Sequence, residues 1–502
     1  MAEMKIIIPL AGLGKRFTDQ GFSSIKPLIK FDDKTMIEHV INMFPKDSDF
    51  IFLCNKNHLE NTTLESLLTH LTKNSTIIPV GKDYLEGPLS SSLLSFEFIN
   101  DDEEIIVNYC DFIQIWNFNE FLEDVRKSNS DGAIVSFKGF HPASLGNTYY
   151  CYMKVEKDLI TEVREKKAFS IDRKNDFAST GTYYFKSGKF FKEYTKKTID
   201  EKYKVGSEYY VSLPYTFMIE DGLNIKNYEI AKFICLGTPR DFNLYKFWSE
   251  FFINQSTKKI EFTSETKIDN SLFLMNTIKK PSSEIGKKII ELSLDNAPAS
   301  KNVFFVLSAE KQKETPINNT IWAHTDLFLE EDVLSKLRES ISPGESLFVN
   351  IPPSILYYNQ RHLLNLFENN TFDVILLTFS RHEILLREPD NFSYAIIDKC
   401  CKIKDIIGNG ELPFASPYVN NAVIGTILYR DSEDFFNSLP KNTTTINNFI
   451  MSVNQLVNKG KNVGIFEVDK FIRINNKLDY KEYLYWENYF DIKKDHPYKT
   501  YS

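Results

Sequence analysis

The sequence predicts an α/β protein of two tandem Rossmann-like domains, each a mixed, mainly parallel sheet flanked by helices. Three observations carry this. Short β-rich runs alternate with amphipathic stretches from the N-terminal end to about residue 148. A glycine turn, "AGLGKR", follows the first of those runs directly. Six segments of the first half recur, in order, in the second.

The elements follow from pattern. "KIIIPL" (5–10) is a continuous apolar run, as expected of a strand buried on both faces. "MIEHVINMF" places Met36, Ile37, Val40 and Ile41 on one side of a helix. "FIFLC" reads as a strand, "LESLLTHLT" as a helix and "TIIPV" as a strand. "EIIVNYCDF" is a strand running into a loop, "FNEFLEDVRKS" a helix and "GAIVSF" a strand. Strands alternating with helices imply βαβ units, whose ligands bind at the carboxyl ends of the strands. The glycine loop follows the first strand and Asp111 follows the fourth, so both fall on that edge. Beyond residue 148, "YYCYMKVEKDLITEVREKK" and "STGTYYF" read as antiparallel or edge strands. Helices are expected near "SGKFFKEYTKK" and in "YYVSLPYTFMIEDG", and "KNYEIAKFICLGTPRDFNLYKFWSEFF" as a strand, a Gly-Thr-Pro turn and a closing helix.

The repeat is read from matches that keep their order, the longest of them without a gap. "EDGLNIKNYEIAKFICLGTPRDF" from Glu220 aligns with "NKGKNVGIFEVDKFIRINNKLDY" from Asn458, placing Gly222 on Gly460 and Asp241 on Asp479. Upstream, "GTYYFKSGKFF" from Gly181 meets "GTILYRDSEDFF" from Gly425, Asp131 meets Asp373 and Val107 meets Val349. The shift drifts only between 238 and 244 positions, as loop insertions would cause. Domains are therefore expected at 1–255 and 262–502, joined near "FFINQSTKK".

The totals narrow the function. A net charge of −8 argues against a general nucleic-acid binder but leaves room for a small anion in a locally positive pocket. Six cysteines without a C-x-x-C or a zinc-like Cys/His spacing argue against structural zinc. "MAEMKIIIPLAG" reads as a first core strand, not a signal peptide, and the longest apolar runs, such as "AVIGTIL" from Ala422, are far below the roughly 18 residues of a membrane span. A reducing, cytoplasmic setting with no membrane partner is expected.

The glycine loop fits neither a Walker A motif nor the Rossmann G-x-G-x-x-G, whose last glycine is replaced by Phe17. It reads Gly12-Leu13-Gly14-Lys15-Arg16, with Lys26-Pro27 ten residues on. Glycines let backbone amides approach an oxyanion, and three cations suit a triphosphate better than one phosphate. A solvated glycine turn has the same spacing. Asp111 at a strand end suits Mg²⁺, which takes one or two carboxylates plus phosphate oxygens, and equally suits a cap. Glu165-Lys166, Gly181 and Glu208, each taken alone, are a charged strand end, a strand glycine and an exposed acid.

It is their order that is specific. G-x-G-x-R with K-P, a strand ending in Asp111, Glu165-Lys166, "TGTYYF", Glu208 and Gly237-Thr238-Pro239-x-Asp241 resemble the sugar-phosphate nucleotidylyltransferase superfamily, with its GT-A-like fold, from Lys5 to about Phe252. The stretch from "GFHPASLGNTYY" to "FASTGTYYFKSG" is further similar to bacterial members of capsule and surface-glycan synthesis. The resemblance implies that Leu10, Ala11, Gly12, Gly14, Lys15 and Asn108 lie on the nucleotide. It places Gly87 by the base and ribose, and Arg16 and Lys26 on the triphosphate and attacking phosphate. It also implies that Asp111 binds Mg²⁺, that Lys166 holds the acceptor's phosphate, and that Gly181 and Glu208 face the acceptor. The family's second metal carboxylate falls on Cys235, leaving Asp241 as a substitute or, by its position, as a helix N-terminal Asp. The implied reaction transfers NMP from an NTP, with CTP or UTP favoured, to a phosphorylated sugar or other small molecule. A GT-A glycosyltransferase and a non-catalytic nucleotide-binding regulator are the alternatives; the former usually shows Asp-x-Asp, which "NYCDF" lacks.

In the second half the scaffold pattern persists while the chemistry is absent. "SLFLM" runs almost directly into "NTIKKP", deleting the glycine loop, and Lys26-Pro27 meets Lys280-Pro281. Asp111 meets Pro353, Lys166 falls near Asn409, and Gly-Thr-Pro meets Asn475-Asn476-Lys477. A degenerate second domain is expected, docking as a sister subunit would, in a homodimer or an intramolecular pseudo-dimer.

Overall fold

The computed structural model describes residues 4–261 except 147, 268–275, 283–308, 320–323, 329–493 with short internal gaps, and 496. Lys280, Pro281, Pro353, Asn409 and Asn475 lie outside the described residues. The chain divides into two compact units: Met1–Phe252 with Leu484–Ser502, and Ile253–Tyr483.

The first unit carries β1 (Met4–Leu10), β2 (Lys30–Phe31), β3 (Lys34–Thr35), β4 (Asp49–Asn55), β5 (Asn74–Val80), β6 (Glu104–Asn108), β7 (Phe112–Ile115) and β8 (Gly132–Phe137). After these come β9 (Cys151–Glu156), β10 (Leu159–Glu165), β11 (Phe177–Phe185), β12 (Ile225–Glu229) and β13 (Lys232–Cys235). The main sheet runs β5-β4-β1-β6-β11-β8-β12-β10-β9, and β7 pairs separately with β13. β5, β4, β1 and β6 are mutually parallel, while β11 enters antiparallel between β6 and β8. Ile6, Ile7 and Ile8 of β1 are all fully buried, which is why this run carries no polar alternation. The helix Met36–Ile41 starts on a capping box between Thr35 and Glu38 and buries Met36, Ile37, Val40 and Ile41.

The second unit carries β14 (Ile268–Leu274), β15 (Ser300–Ser308), β16 (Thr320–Ala323), β17 (Leu347–Asn350), β18 (Ser354–Tyr357) and β19 (Val374–Phe379). Then follow β20 (Ser393–Ile397), β21 (Ile403–Ile407), β22 (Asn421–Tyr429), β23 (Val463–Glu467) and β24 (Lys470–Arg473). Its sheet runs β16-β15-β14-β17-β22-β19-β23, β20 pairs with β21 and β22, and β18 pairs with β24. Strand for strand this is the order of the first sheet, with the same parallel and antiparallel senses along that path. Polar ties coincide too. Asp131 accepts from the Asn224 amide at 3.0 Å, and Asp373 from the Asn462 amide at 2.8 Å. Gly181 and Gly425, both at positive φ, occupy the irregular part of their strands. Among the described residues, no helix is long and apolar enough to cross a membrane.

The domain boundary differs from the sequence expectation at the C-terminal end. Residues from Leu484 onward belong with the first unit because the helix Lys477–Ile492 ends in aromatics that pack there. Trp486 stacks on Trp248, and Phe490 packs on Tyr245 and Phe252. Beyond them the Lys493 ammonium pairs with Asp32 in the β2–β3 turn, and both side chains are only 8% exposed. Asp32 also accepts from Tyr245 and, at 2.7 Å, from Ser249 Oγ. Burial pushes the Asp32 carboxyl up, but Lys493 and the two hydroxyls outweigh it and hold it below the ordinary carboxylate range. The sign follows: this contribution is present above the unfolded carboxyl value of about 3.9 and is lost as pH falls through the folded value. Urea midpoints measured between pH 7 and pH 2.5 are expected to fall most steeply below about pH 4. Asp32→Asn, which leaves the buried ammonium unpaired, is expected to cost about 3–5 kcal/mol at pH 7 and to flatten that slope.

Candidate active site

The glycine loop, the Lys26 turn and the end of β6 meet around one cavity of about 480 Å³. β1 delivers the loop: its last residue, Leu10, is buried, and Asn55 at the end of β4 donates to the Ala11 carbonyl at 3.0 Å. The turn Gly12–Arg16 lines the cavity, with Lys15 and Arg16 exposed. Gly14 has φ 63°, a left-handed conformation, and a Cβ there would stand 3.3 Å from Lys26 Cβ. The glycine therefore both turns the chain and admits Lys26.

Lys26 sits at the start of a short 3₁₀ turn, with Pro27 next to it. Its ammonium donates to Asp111 Oδ2 at 2.7 Å and to the Gly237 carbonyl at 3.1 Å, over the Phe17 ring. Burial disfavours both charges, yet each holds the other ionised. The Asp111 carboxyl lies below its ordinary value because Lys26, with Lys166 and Arg16 adding, outweighs burial. The Lys26 ammonium lies above its ordinary value because Asp111 outweighs burial. Asp111 is positioned by the β7–β13 ladder, in which Cys235 faces Phe112 and the Leu236 amide donates to the Asp111 carbonyl at 2.8 Å.

Tyr84, Leu85, Gly87, Ser91 and Glu208 line the same cavity. Gly87 has φ 105°, and a Cβ there would meet Tyr209 O at 2.6 Å and Tyr209 N at 2.7 Å. Two hydrogen bonds stitch the segments together, Tyr209 N to Glu86 O at 2.7 Å and Leu89 N to Tyr209 O at 3.0 Å. Thus Leu10, Ala11, Gly12, Gly14, Lys15, Arg16, Lys26, Gly87, Asp111 and Glu208, scattered over 199 positions of sequence, share one cavity.

Four expected site residues stand outside its lining. Asn108 is fully buried, donates to the Tyr109 carbonyl at 2.7 Å and accepts from Thr182 Oγ1 at 2.6 Å. Its second-unit counterpart Asn350 lies 3.5 Å from Thr426 Oγ1, so the pair serves the scaffold. Gly181, at φ 105°, lies against the Tyr109 and Phe112 rings. Lys166 donates to the Tyr149 carbonyl at 2.8 Å and lies 5.0 Å from the Tyr210 ring centroid. Beside it, burial raises the Glu165 carboxyl above its ordinary value, against Lys166 and Ser212. Asp241 accepts from Thr238 Oγ1 at 2.7 Å, while its own amide donates to that hydroxyl at 3.2 Å. That reciprocal bond belongs to the start of the helix Pro239–Glu261, and it engages the carboxylate locally. Tyr84, Tyr109 and Gly237 line the cavity without having been singled out. The signal for Gly237 was its place in the Gly-Thr-Pro turn; the two tyrosines gave none.

Known proteins are similar to the first half of the chain. Residues 5–217 match the family model described as nucleotidyl transferase. A nucleoside-diphosphate-sugar pyrophosphorylase from Vibrio cholerae RC9 is similar at 21% identity and a TM-score of 0.41, over 48% of this chain and 99% of that one. A glucose-1-phosphate thymidylyltransferase, so described, from Bacillus anthracis is similar at 18% identity and a TM-score of 0.38, over 48% and 94%. The inositol-1-phosphate CTP transferase of T. maritima is similar at 12% identity and a TM-score of 0.36, over 48% and 92%. No curated protein matches the chain. A glycine loop, a buried Lys–Asp pair and a family match fall over the same residues: residues 5–217 carry a nucleotidyl transferase domain, and its activity is that of a nucleotidyltransferase.

Proposed function

We propose that the chain transfers NMP from an NTP to a phosphorylated sugar or related small molecule, releasing pyrophosphate. By family resemblance CTP and UTP are the favoured nucleotides, and the product is an activated precursor for capsule or surface-glycan synthesis, made in the cytoplasm. The observation that carries this reading is the Lys26 ammonium, held by Asp111 and the Gly237 carbonyl in the cavity that Gly12–Arg16 lines. An acceptor phosphate oxygen bonds to the α-phosphorus as the bond from that phosphorus to the β-phosphate oxygen breaks. Negative charge then builds on the transferring group and on the departing pyrophosphate. Gly12 and Gly14 let the backbone come close to those oxygens, Arg16 and Lys26 neutralise them, and Lys166 supplies a further cation from the acceptor side. No side-chain nucleophile is required; positioning and charge neutralisation suffice.

The donor set fits Mg²⁺. Asp111 offers a hard carboxylate at the cavity, and among the described residues no group of three His, Cys, Asp or Glu side chains forms a protein cage. One carboxylate plus substrate phosphates is how Mg²⁺ is ordinarily held, and the ion would supply Lewis-acid charge there. Asp241 is a poorer ligand, being committed to Thr238. We also propose that the second unit is a degenerate copy of the first; the matching strand orders and the Asp131/Asp373 ties support this.

Pyrophosphate release with ATP, CTP, GTP and UTP against a panel of phosphorylated sugars, polyols and amino-acid derivatives tests the reaction. One NTP paired with one acceptor is expected to give pyrophosphate and a nucleotide-linked product in equal amounts. Silence with every NTP alongside turnover of a sugar nucleotide would replace this reading with a glycosyltransferase, and binding without turnover with a regulator.

A further inference from the structure

Asp111 and Gly237 hang on a short ladder. β7 and β13 pair over four residues, Phe112 facing Cys235 and Ile115 facing Lys232. Asp111 precedes β7 and Gly237 follows β13, so the ladder sets the spacing of the two groups that grip Lys26. A two-stranded ribbon of this length is marginal alone, and its outer edge offers unpaired backbone groups. That edge is closed by Tyr485, from the other end of the sequence. Its buried phenol accepts from the Phe233 amide at 3.0 Å and donates to the Phe233 carbonyl at 2.8 Å. His141 Nδ1 stands 3.0 Å from the same oxygen. The Lys232 ammonium lies 4.0 Å from the Tyr485 ring centroid and donates to the Tyr485 carbonyl at 3.3 Å. One hydroxyl thus takes both backbone groups of Phe233, as a neighbouring strand would.

We propose that Tyr485 is a positioning residue for the catalytic group: by fixing β13 against β7 it holds Asp111 and Gly237 at the spacing Lys26 requires. This rests on the proposed reaction only for its kinetic consequence; the ordering of the ladder is independent of it.

Tyr485→Phe in the full-length chain removes the hydroxyl alone and keeps the ring. Amide hydrogen exchange is expected to quicken at least about tenfold across both 111–115 and 232–237, with kcat falling about tenfold because small displacements of charge-bearing groups are costly in rate. Tyr489→Phe, on the same helix but away from β13, is the control: it is expected to leave exchange unchanged in both segments. Exchange unchanged in 111–115, or a control that loosens both segments equally, would overturn the proposal. So would faster exchange with an undiminished kcat in an active enzyme. A wild-type chain that turns over no NTP would count against the proposed reaction and leave the exchange comparison decisive for Tyr485, so the two readings fail separately.

Discussion

Asp111→Asn in the full chain is expected to lower kcat/KM for nucleotidyl transfer by at least about a hundredfold, the scale on which loss of a preorganised charge acts. The substitution is nearly isosteric, so the β7–β13 ladder and the Leu236-to-Asp111 backbone bond survive it. What changes is the charge at the Lys26 ammonium. The wild-type carboxylate and ammonium each outweigh the other's burial. With an amide in place of the carboxylate the ammonium keeps its burial cost and loses its largest compensation, and the cavity loses the carboxylate proposed to hold a metal. Lys26→Met should be comparably severe, and the double variant should be little worse than either single, because the two act as one group. Initial rates across the three variants check this. Near-normal turnover in Asp111→Asn would remove Asp111 from the mechanism and would also reopen the second unit as a source of activity.

Gly87→Ala is the other large effect. A methyl there meets the backbone of Tyr209 at 2.6 and 2.7 Å, both distances inside any real contact, and φ 105° disfavours any L side chain. The clash cannot be relieved by a side-chain rotation, since the obstacle is main chain held by the two bonds to Glu86 and Leu89. Relief must move the 86–89 segment away from 208–209. That is expected to cost about 2–4 kcal/mol of stability and to raise the NTP KM more than about tenfold, because Gly87 and Glu208 line the same cavity as the glycine loop. Denaturant unfolding and KM measured on the same preparation separate the two: stability lost with KM unchanged would make Gly87 a purely architectural glycine.

Much of this was legible in the sequence because it is local or repeated. β1 and β6 are short unbroken apolar runs, so their burial and the loops at their ends could be read directly. The recurring segments could be read because the shift between them drifts only slightly along the chain. The ladder of β7 with β13 was not: each strand has four residues, and its partner is more than a hundred positions away. Nor did its strand-end position, three residues before Asp111, reveal that the Asn108 side chain turns into the scaffold to meet Thr182. The Lys26–Asp111 contact itself was invisible, since each residue was read separately as a ligand for phosphate or metal. No motif in the last segment, rich as it is in aromatics, foretold that Tyr485 and Lys493 belong with the first unit.

That last point has a consequence for how the protein is made. Translation proceeds at about 5–20 residues per second, and domains generally fold as their own residues emerge. Here the first unit is interrupted after Phe252 and resumes at Leu484. A nascent first unit therefore waits on the order of tens of seconds for Tyr485 and Lys493, with the edge of β13 and the buried acid of Asp32 unmatched. Any message that ends early yields a product lacking those matches, vulnerable to proteolysis and poorly formed at Asp111. Synthesis of the segment from Leu484 onward thus precedes full ordering of the site, however early its other residues emerge.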